Sequence, residues 1–398
     1  MAKPLNKIEK LIAELCPNGV EFKALRDICS SITAGGDLPE NYLKGQQVPT
    51  KEFSYPIYSN GSAENALYGY TDSYKVSCEA VTISARGTIG HHVVRTEKFT
   101  PIVRLITLIP KTEIVTAKFL NYALDITEIG HSGGSIPQLT VPNVKKIQIP
   151  VPPLAIQQEI VKILDTFTTL EAELEAELEA RKKQYEHYRE ELLMFGGEVE
   201  FKDLGEVCAI ASGGTPAKSK KEFWEGGNIP WLKSESCNNE AIFFANNFIT
   251  DLGLQKSSAK LLEKETTLMA LVGATIFKTA YIEFESTTNQ NIANIKSKNA
   301  IILNDKFIFY YLTNLYSELK NKMKSYGMLN LTTLRKFKIH IPPLAEQRRI
   351  IAILDKFDAL VNDISDGLPA ELNVRRKQYE YYRSKLLTFN PLEKEYAK

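Results

Sequence analysis

Apolar residues recur at steps of three and four along two stretches of the chain, which we call arm 1 and arm 2. This heptad-like spacing is typical of long helices that pack along one apolar seam. Arm 1 follows Pro152-Pro153 and arm 2 follows Pro342-Pro343, and each extends for about 40 residues, or roughly 60 Å as a helix. The apolar positions are Ile156, Ile160, Ile163, Phe167, Leu170, Leu174, Tyr185, Tyr188 and Leu192 in arm 1, and Ile350, Ile353, Phe357, Leu360, Ile364, Leu368, Leu372, Tyr379, Tyr382 and Leu386 in arm 2.

A single apolar stripe would equally fit a helix that packs on its own domain. Two stripes of equal length favour packing of the arms on each other, and an antiparallel pair would place the two domains at opposite ends. Pro369 lies within arm 2 and has no backbone N–H, so we expect it to kink or interrupt that helix and divide it into two segments.

The segments outside the arms have mixed character. Residues 80–85 and 103–109 have the composition of strands, whereas residues 116–125 and 305–324 have the spacing of helices. Loops rich in glycine and serine separate these segments. The sequence therefore predicts an α+β fold with a large β component.

The chain contains an internal duplication with a period of about 190 residues. The strongest matches are VEFKALRDIC (20–29) with VEFKDLGEVC (199–208), IPVPPLAIQQEIVKILD (149–165) with IHIPPLAEQRRIIAILD (339–355), and RKKQYEHYREELL (181–193) with RRKQYEYYRSKLL (375–387). Weaker matches link Gly87-Thr88-Ile89 with Gly273-Ala274-Thr275-Ile276, and Lys118-Phe119 with Lys306-Phe307. Because the arms agree and the domain interiors diverge, we expect the arms to do the same job twice and the domains to do different jobs.

The duplication also predicts the domain boundaries. The order is domain, arm, domain, arm, with a pseudo-two-fold relation between the copies. The predicted ranges are an N-terminal helical segment at 1–19, domain 1 at 20–150, arm 1 at 151–198, domain 2 at 199–341, arm 2 at 342–390 and a tail at 391–398. Since arm 2 leads back to the start of the chain, we expect the two termini to lie close together.

Composition narrows the class of protein. The 398 residues are 43% hydrophobic and 24% charged, as in soluble globular proteins. No run of 18 apolar residues predicts a membrane span, and the first residues lack the apolar core of a signal peptide. Five cysteines without a C-x-x-C pair fit reduced thiols in a cytoplasmic protein. The net charge of +1 does not by itself indicate a nucleic acid ligand, while residues 151–195 carry 5 basic and 10 acidic side chains.

A search for catalytic motifs finds none. The sequence has no P-loop, no [DN]-P-P-[YF] motif of amino-methyltransferases and no H-E-x-x-H zinc motif. Glu21-Phe22-Lys23 and Glu200-Phe201-Lys202 match the E-x-K of some nucleases, but the duplication explains their recurrence and we interpret them as structural. His91-His92 could form a metal pair, yet adjacent residues on a strand point to opposite faces. We therefore expect neither a catalytic site nor a metal site in this chain.

Loop residues suited to contacts with DNA occur in both domains. Lysine and arginine bind phosphates, and Asn, Gln and Arg can read base edges with two hydrogen bonds. Any one of them is more often a solvated surface residue than a DNA contact, but together they support a hypothesis of DNA binding. The candidates are Lys44, Lys51, Tyr58, Asn60, Arg86, His91, Arg95, Ser132 and Gln138 in domain 1, and Lys218, Lys220, Lys221, Trp231, Lys233, Gln290, Asn291, Lys324, Tyr326 and Asn330 in domain 2.

The duplicated segments resemble the specificity (S) subunit of Type I restriction-modification enzymes. The shared features are the IPPLAEQ-type helix start, the ILD that follows, the RKKQYE-YYR-LL end of the arm and the VEFK-L segment before each domain. The resemblance extends from about Val20 to Phe389. It implies two similar α/β target-recognition domains, joined and separated by two long antiparallel coiled-coil helices.

The resemblance also implies a function. Each domain would read one half of an asymmetric bipartite site in double-stranded DNA, and the arms would set the spacing between the halves. A chain of this kind has no catalytic centre and no cofactor of its own, and directs methylation and restriction in phage defence. Its partners would be two modification (methyltransferase) subunits, which hold S-adenosylmethionine. The sequence leaves open whether restriction (translocase and nuclease) subunits join.

Arm 1 contains a tetrapeptide repeat that is typical of some members of that family. Residues 170–181 read LEAE-LEAE-LEAR, and arm 2 has Asp366-Gly367-Leu368-Pro369 in its place. In the family such a repeat is linked to spacer length. The same residues also fit a helix with a solvated acidic face, and the two interpretations are compatible.

Two other classes of function remain open at this stage. The chain could be a coiled-coil scaffold with protein-binding domains, or an enzyme whose site has no known motif. A scaffold would show no salt-dependent DNA binding, whereas a DNA-binding subunit would lose affinity steeply as salt rises. An enzyme would modify DNA without partner subunits.

Overall fold

The computed structural model describes residues 2–129, 138–197, 199–322, 327–363 and 366–392. Contacts divide the chain into two compact units. Unit 1 comprises Met1–Glu173 and Asn373–Lys398, and unit 2 comprises Leu174–Leu372. Each unit therefore contains one predicted domain and parts of both arms.

The α-helices in the described residues are α1 Ala2–Leu15, α2 Leu25–Ile28, α3 Ala117–Asp125, α4 Val141–Val144, α5 Leu154–Leu192, α6 Leu204–Val207, α7 Asp251–Gln255, α8 Asp305–Asn314, α9 Tyr316–Lys322, α10 Leu331–Arg335, α11 Leu344–Asn362 and α12 Leu368–Leu387. The three longest of them, α5, α11 and α12, lie in the arms.

The strands of unit 1 are β1 Phe22–Ala24, β2 Cys29–Ala34, β3 Tyr42–Lys44, β4 Tyr55–Tyr58, β5 Leu67–Thr71, β6 Ala80–Ile83, β7 His92–Arg95, β8 Thr100–Pro101, β9 Ile106–Pro110 and β10 Gln148–Pro150. The strands of unit 2 are β11 Phe201–Asp203, β12 Cys208–Ser212, β13 Ile229–Leu232, β14 Glu240–Ile242, β15 Phe248–Ile249, β16 Thr266–Ala270, β17 Thr279–Ile282, β18 Thr287–Thr288, β19 Ile292–Ser297 and β20 Lys338–His340.

The two units share a sheet plan. In unit 1 the described sheets have the orders β2-β9-β6-β7 and β3-β5-β4-β8, and in unit 2 they have the orders β12-β19-β16-β17-β14 and β15-β13-β18. A short antiparallel pair, β1 with β10 or β11 with β20, joins the start and the end of each domain. These matching orders confirm the duplication and the α+β fold.

One sheet in each unit, β2-β9-β6-β7 or β12-β19-β16-β17-β14, packs against a domain helix. In unit 1, α3 buries Phe119 and Leu120 against the sheet residues Ile83 and Leu108. In unit 2, α8 buries Phe307 in the same core as Met269. Burial of apolar side chains at about 25 cal/mol per Å² is the main stabilising contribution in both cores.

Two buried glutamines explain why the PPLA-x-Q segment occurs twice. Gln157 is fully buried, and its Nε2 donates to the backbone oxygens of Ile114 and Pro152, both at 2.8 Å. Its Oε1 accepts from the backbone N–H of Thr116 at 3.1 Å, at the start of α3. The side chain therefore joins the first turn of arm 1 to the domain helix.

Gln347 repeats this arrangement in unit 2. Its Nε2 donates to the oxygens of Ile302 and Pro342 at 2.8 Å, and its Oε1 accepts from the N–H of Asn304 at 2.9 Å. It is also fully buried. Both glutamines thus make the same three hydrogen bonds, and two of the three attach each arm to its domain.

The aspartate of each ILD segment makes a second attachment. Tyr122 donates to Asp165 at 2.7 Å, and Tyr310 donates to Asp355 at 2.5 Å. Burial, together with the acceptor carboxylates, raises the pKa of both tyrosines, so they stay protonated donors. Lys118 and Lys306 pair with the same aspartates, which explains the recurrence of Lys-Phe in the sequence.

Arm contacts within each unit follow one pattern. In unit 1, Phe167 of α5 packs on Tyr379 and Tyr382 of α12, with ring centroids 6.4 and 5.4 Å apart. In unit 2 the roles are exchanged, because Phe357 of α11 packs on two tyrosines of α5. Those are Tyr185 at 6.2 Å and Tyr188 at 5.3 Å. This exchange shows that the arm segments pair with each other, as their equal stripes predict.

The direction of pairing is antiparallel in unit 1. Glu171 lies four residues beyond Phe167 on α5, and it pairs with Arg376 of α12 at 2.6 Å. Arg376 comes before Tyr379, so α12 runs backwards along α5. Ile156, Ile160 and Leu164 are fully buried in α5, whereas the predicted seam residue Ile163 is partly exposed and Leu170 is 39% exposed.

Arm 2 is divided, as Pro369 predicts. Helix α11 ends at Asn362 and α12 begins at Leu368, so Pro369 lies in the first turn of α12, where its missing N–H has no helical partner to lose. Ile364 lies outside the described residues. Two further predictions need correction, because strand β9 begins at Ile106 and not at Val103, and the predicted helix 305–324 is two helices that meet at Leu315.

The ends of the chain meet in unit 1. Val20 donates its N–H to the oxygen of Asn390 and accepts from the N–H of Leu392, both at 2.9 Å. Lys385 of α12 lies 3.7 Å from Glu9 of α1. The prediction that the terminal segments lie close together is confirmed for the described residues. Among those residues, no helix is long and apolar enough to cross a membrane.

Placing charge at the aromatic arm contacts should destabilise both units. We expect Tyr188→Asp with Tyr382→Asp to lower the free energy of unfolding by at least about 2 kcal/mol, because each carboxylate would lie against a phenylalanine ring. Chemical denaturation measures this cost. Val374→Asp, at a position of α12 that is 52% exposed, controls for added charge. A double variant that unfolds like the control would contradict the seam assignment.

Candidate nucleic-acid interface

Four loops of unit 1 converge at one edge of its sheets, and we call residues 59–62, 84–91, 102–105 and 138–139 loop cluster 1. Asn60 connects three of them, since its Oδ1 accepts from the N–H of Ala85 at 2.7 Å and its Nδ2 donates to the oxygen of Val103 at 2.5 Å. Ser84 bonds Gly61, and Leu139 donates its N–H to Ala85 at 3.0 Å. Backbone and side-chain bonds thus fix all four loops relative to one another.

The corresponding loops of unit 2 form loop cluster 2, residues 233–237, 271–277, 289–292 and 327–330. Leu329 donates its N–H to Leu271 at 2.8 Å, as Leu139 does to Ala85. Thr275 donates to the oxygen of Ser234 at 3.0 Å, and Leu271 donates to the oxygen of Asn291 at 2.8 Å. The two clusters share their position in the fold but not their residues.

A glycine with positive φ sits at the same place in both clusters. Gly87 has φ +71° and Gly273 has φ +78°, a region that favours glycine because it has no Cβ. This explains the weak sequence match between Gly87-Thr88-Ile89 and Gly273-Ala274-Thr275-Ile276. The loop backbone is therefore retained while its side chains change.

Several candidates from domain 1 lie together in loop cluster 1. Arg86 donates from Nε and Nη2 to the Oε1 of Gln138, at 3.1 and 2.7 Å, across two loops. Asn60 has a structural role within the cluster, because its amide oxygen and its amide nitrogen are both hydrogen-bonded to backbone groups. His91 lies at the end of the second loop, and its partial burial is the main reason that its pKa falls below the usual value.

Tyr58 and Arg95 form a stack beside this cluster. The Arg95 guanidinium lies 3.6 Å from the centre of the Tyr58 ring, and the Tyr58 hydroxyl donates to Glu97 at 2.8 Å. Burial raises the pKa of Tyr58 to about 12, with a further contribution from Glu97. The tyrosine is therefore a neutral, oriented side chain.

Two further domain 1 candidates, Lys44 and Lys51, are not joined to the cluster by the hydrogen bonds described above. Lys44 lies on β3 with its ammonium 5.4 Å from the Tyr68 ring, and Lys51 is exposed in the loop that follows β3. Ser132 lies outside the described residues. None of these placements tests DNA contact, so the candidates stay predictions.

In unit 2, Trp231 is an internal residue. Its side chain is only 3% exposed, its Nε1 donates to the oxygen of Gly214 at 3.0 Å, and its ring meets Trp224 edge to face. Lys233 is half-buried, and its ammonium lies 5.9 Å from the centre of the Trp231 ring. The tryptophan thus positions the loop that holds Lys233 and has no open face for a base.

The polar candidates of domain 2 lie around loop cluster 2. Gln290 accepts from the Thr215 hydroxyl at 2.5 Å, which joins the cluster to the exposed segment of Lys218, Lys220 and Lys221. Asn330 accepts from the N–H of Thr333 at 2.8 Å and caps α10. Asn291 lies in the turn beside Gln290. Lys324 and Tyr326 lie outside the described residues.

The structure reveals one pair of residues that the sequence analysis missed. Val103 and Arg104 are exposed at the tip of loop cluster 1, and both have positive φ, +50° and +63°. A β-branched residue in this region is uncommon. No sequence motif marks this pair, and only the strand register on either side of it shows its position.

Other candidate chemistry is accounted for by local contacts. Glu21 pairs with Lys23 at 3.1 Å and Glu200 with Lys202 at 3.2 Å, so the charged residues of each E-x-K segment neutralise each other. The His92 ring nitrogens face Asn121 at 3.1 Å and Asp125 at 3.6 Å on α3. Within the described ranges, no group of three or more His, Cys, Asp or Glu side chains is arranged to hold a metal ion.

The comparison with known families agrees with this duplicated geometry. The family model described as "Type I restriction modification DNA specificity domain" matches residues 17–180 and again residues 197–374. Each match contains one loop cluster, and together they span most of the chain. The chain belongs to this family.

Curated relatives of the family include two specificity subunits from Escherichia coli. The chain is 42% identical over 259 residues to the type I restriction enzyme EcoR124I/EcoR124II specificity subunit, an alignment that covers 62% of this chain and 63% of the relative. It is 35% identical over 221 residues to the type I restriction enzyme EcoprrI specificity subunit, covering 52% of this chain and 54% of the relative. The chain thus matches less than two thirds of the length of these relatives.

Two solved structures have the same fold. The S subunit of a Type-I restriction-modification system from M. genitalium is 18% identical with a TM-score of 0.58, and the alignment covers 93% of this chain and 96% of that chain. A chain from a structural study of complex assembly and conformational transition of the type I R-M system is 18% identical with a TM-score of 0.56, covering 93% and 98%. At this identity the two structures show the fold alone.

Proposed function

We propose that the chain is the DNA sequence-recognition subunit of a Type I restriction-modification complex. Each loop cluster would read one half of an asymmetric bipartite site. The observation that carries this proposal is the contrast between framework and loops. Gln157 and Gln347 make the same three bonds in the two units, whereas the exposed side chains of the loop clusters differ.

The side chains of the clusters suit a DNA ligand. Arg86 and Arg104 in unit 1, and Lys218, Lys220 and Lys233 in unit 2, supply positive charge for phosphates. Gln138, Gln290 and Asn291 supply amides for base edges. A scaffold with protein-binding domains would not need cationic and amide side chains at the same loop edge of both domains.

Catalysis would belong to partner subunits. We propose that two modification subunits bind S-adenosylmethionine and methylate the site that this chain selects, and that restriction subunits, where present, use the same selection. The duplicated arms support two copies of one partner, because each arm offers a related surface. The chain itself would hold no cofactor.

An exchange of domains tests the proposal. Replacing residues 20–150 with the corresponding domain of another specificity subunit should change one half-site and leave the other half-site unchanged. The complex with modification subunits is expressed in cells, and methylated motifs are mapped across the genome. The matched exchange of residues 199–341 should change the other half. A palindromic motif, or a change in both halves, would contradict independent reading.

Two biochemical controls separate the alternatives. The purified chain alone should not methylate DNA when it is given S-adenosylmethionine, and adding modification subunits should restore transfer. Affinity of the complex for its site should fall steeply between low and moderate salt, because phosphate contacts release counterions. Methyl transfer by the chain alone would indicate an enzyme, and salt-independent assembly without DNA binding would indicate a scaffold.

A further inference from the structure

We infer that one turn in each unit reads bases directly, residues 102–105 in unit 1 and 289–292 in unit 2, and that Arg104 and Asn291 are the reading side chains. We call these segments reading turn 1 and reading turn 2. The inference rests on the proposed function and deepens it. It predicts a required G·C pair in the half-site of unit 1 and a required A·T pair in that of unit 2.

Strand register makes the two turns equivalent. Before each turn, parallel pairs place Pro101 opposite Tyr58 and Thr288 opposite Leu232. After each turn, antiparallel pairs place Ile106 opposite Ala34 and Ala293 opposite Ser212. The intervening chain has the same length in both units, so Val103 matches Gln290 and Arg104 matches Asn291. The duplication alone does not reveal this match, because the residues differ at all four matched positions of the two turns.

Reading turn 1 is held in an uncommon backbone conformation. Val103 and Arg104 donate their N–H groups to the oxygens of Gly36 and Gly35, at 2.9 and 3.0 Å, and Asn60 donates to the oxygen of Val103. A Cβ on Gly35 would lie 2.8 Å from the backbone N of Ile102, so only glycine permits this approach. Three hydrogen bonds and a glycine therefore stabilise two consecutive residues with positive φ. Such conformations persist where the surrounding contacts hold them in place, and they concentrate at functional sites.

The fixed backbone of reading turn 1 leaves its two central side chains exposed. Arg104 is exposed, and within the described residues no hydrogen bond or ion pair involves its guanidinium. Val103 is 54% exposed beside it. Arginine in a rigid position can donate two hydrogen bonds to O6 and N7 of guanine, and asparagine can make the matching pair with adenine. A rigid turn suits base recognition because a pair of hydrogen bonds to a base edge needs a fixed side-chain position. A phosphate contact, in contrast, tolerates a flexible side chain.

The experiment maps methylated motifs for the complex with modification subunits. Arg104→Ala should relax one G·C position of the half-site assigned to residues 20–150, with about 10- to 100-fold loss of discrimination there and no change in the other half. Asn291→Ala should relax one A·T position of the other half. Arg26→Ala is the matched control, because Arg26 is an exposed arginine of α2 in unit 1 outside the loop cluster.

A second variant and a binding measurement keep the test decisive if Arg104→Ala abolishes methylation. Arg104→Gln retains a polar side chain and should shift the relaxed position towards adenine. Binding to oligonucleotides with each base pair replaced in turn gives the same readout without methylation, and thermal unfolding verifies that each variant is folded. Uniform weakening across all sequences would assign Arg104 to a phosphate and overturn the inference.

The outcomes distinguish this inference from the proposed function. The inference is overturned if the wild-type complex has a bipartite motif that is unchanged in Arg104→Ala. It is also overturned if the unit 1 half-site lacks any G·C pair. In either case the proposed function still stands. If neither the wild type nor Arg26→Ala gives a methylated bipartite motif, the inference and the proposed function are both overturned.

Discussion

Replacing Gln347 with leucine should lower the free energy of unfolding of unit 2 by about 3 kcal/mol or more. The leucine has a similar volume but leaves the oxygens of Ile302 and Pro342 and the N–H of Asn304 without their partner. Each buried polar group that loses its hydrogen bond costs about 1–3 kcal/mol. Gln157→Leu should cost a similar amount in unit 1, because the three bonds are the same.

The tryptophans allow the unfolding of unit 2 to be followed separately. The chain has two tryptophans, Trp224 and Trp231, and both belong to unit 2. Denaturation monitored by tryptophan fluorescence should therefore shift for Gln347→Leu and change little for Gln157→Leu, while circular dichroism reports both. Gln158→Leu is the control, since Gln158 is the exposed neighbour of Gln157. A Gln347 variant as stable as this control would show that the bonds contribute little.

The arms were largely predictable from the sequence because helical periodicity is a local property. Matching segments marked Gln157 and Gln347 as equivalent, and Pro369 marked the division between α11 and α12. Two of the three bonds of each glutamine were not predictable, since these partners lie about 40 residues away in sequence, around Thr116 and Asn304. Burial of Leu164 in place of Ile163 reflects the contact of α5 with its domain as well as with α12.

The loop clusters were less accessible to sequence reasoning. Each brings together four segments that are far apart in the chain, so their proximity depends on strand order and register. The sequence analysis places Trp231 among the loop residues suited to contacts with DNA, but the structure buries its ring. Val103 suggested a strand, but hydrogen bonds from the turn give it a positive φ that its β-branched side chain disfavours.

Deleting Leu174–Glu177 from arm 1 should shorten the spacer between the two half-sites by one or at most two base pairs. Helix α5 runs without a break from Leu154 to Leu192 and connects unit 1 with unit 2. Four residues of helix contribute about 6 Å of length and roughly 400° of rotation. Because this is close to a whole turn, Tyr185 and Tyr188 keep their facing towards Phe357 to within about 40°. DNA rises about 3.4 Å per base pair, which sets the expected change.

The acidic residues of the repeat permit a test of length against charge. Glu173, Glu175 and Glu177 are exposed, so Glu175→Gln with Glu177→Gln changes the charge of the helix without changing its length. This variant should retain the wild-type spacer. Deletion of Glu175 alone rotates the rest of α5 by about 100° and should weaken assembly, because the tyrosines would turn away from Phe357.

Methylated motifs are mapped for all three variants together with the modification subunits. If the four-residue deletion keeps both full activity and the original spacer, the repeat is only a solvated helix and the length of arm 1 does not set the spacing. Altered bases within either half-site would instead show that the loop clusters do not read DNA independently of the arms.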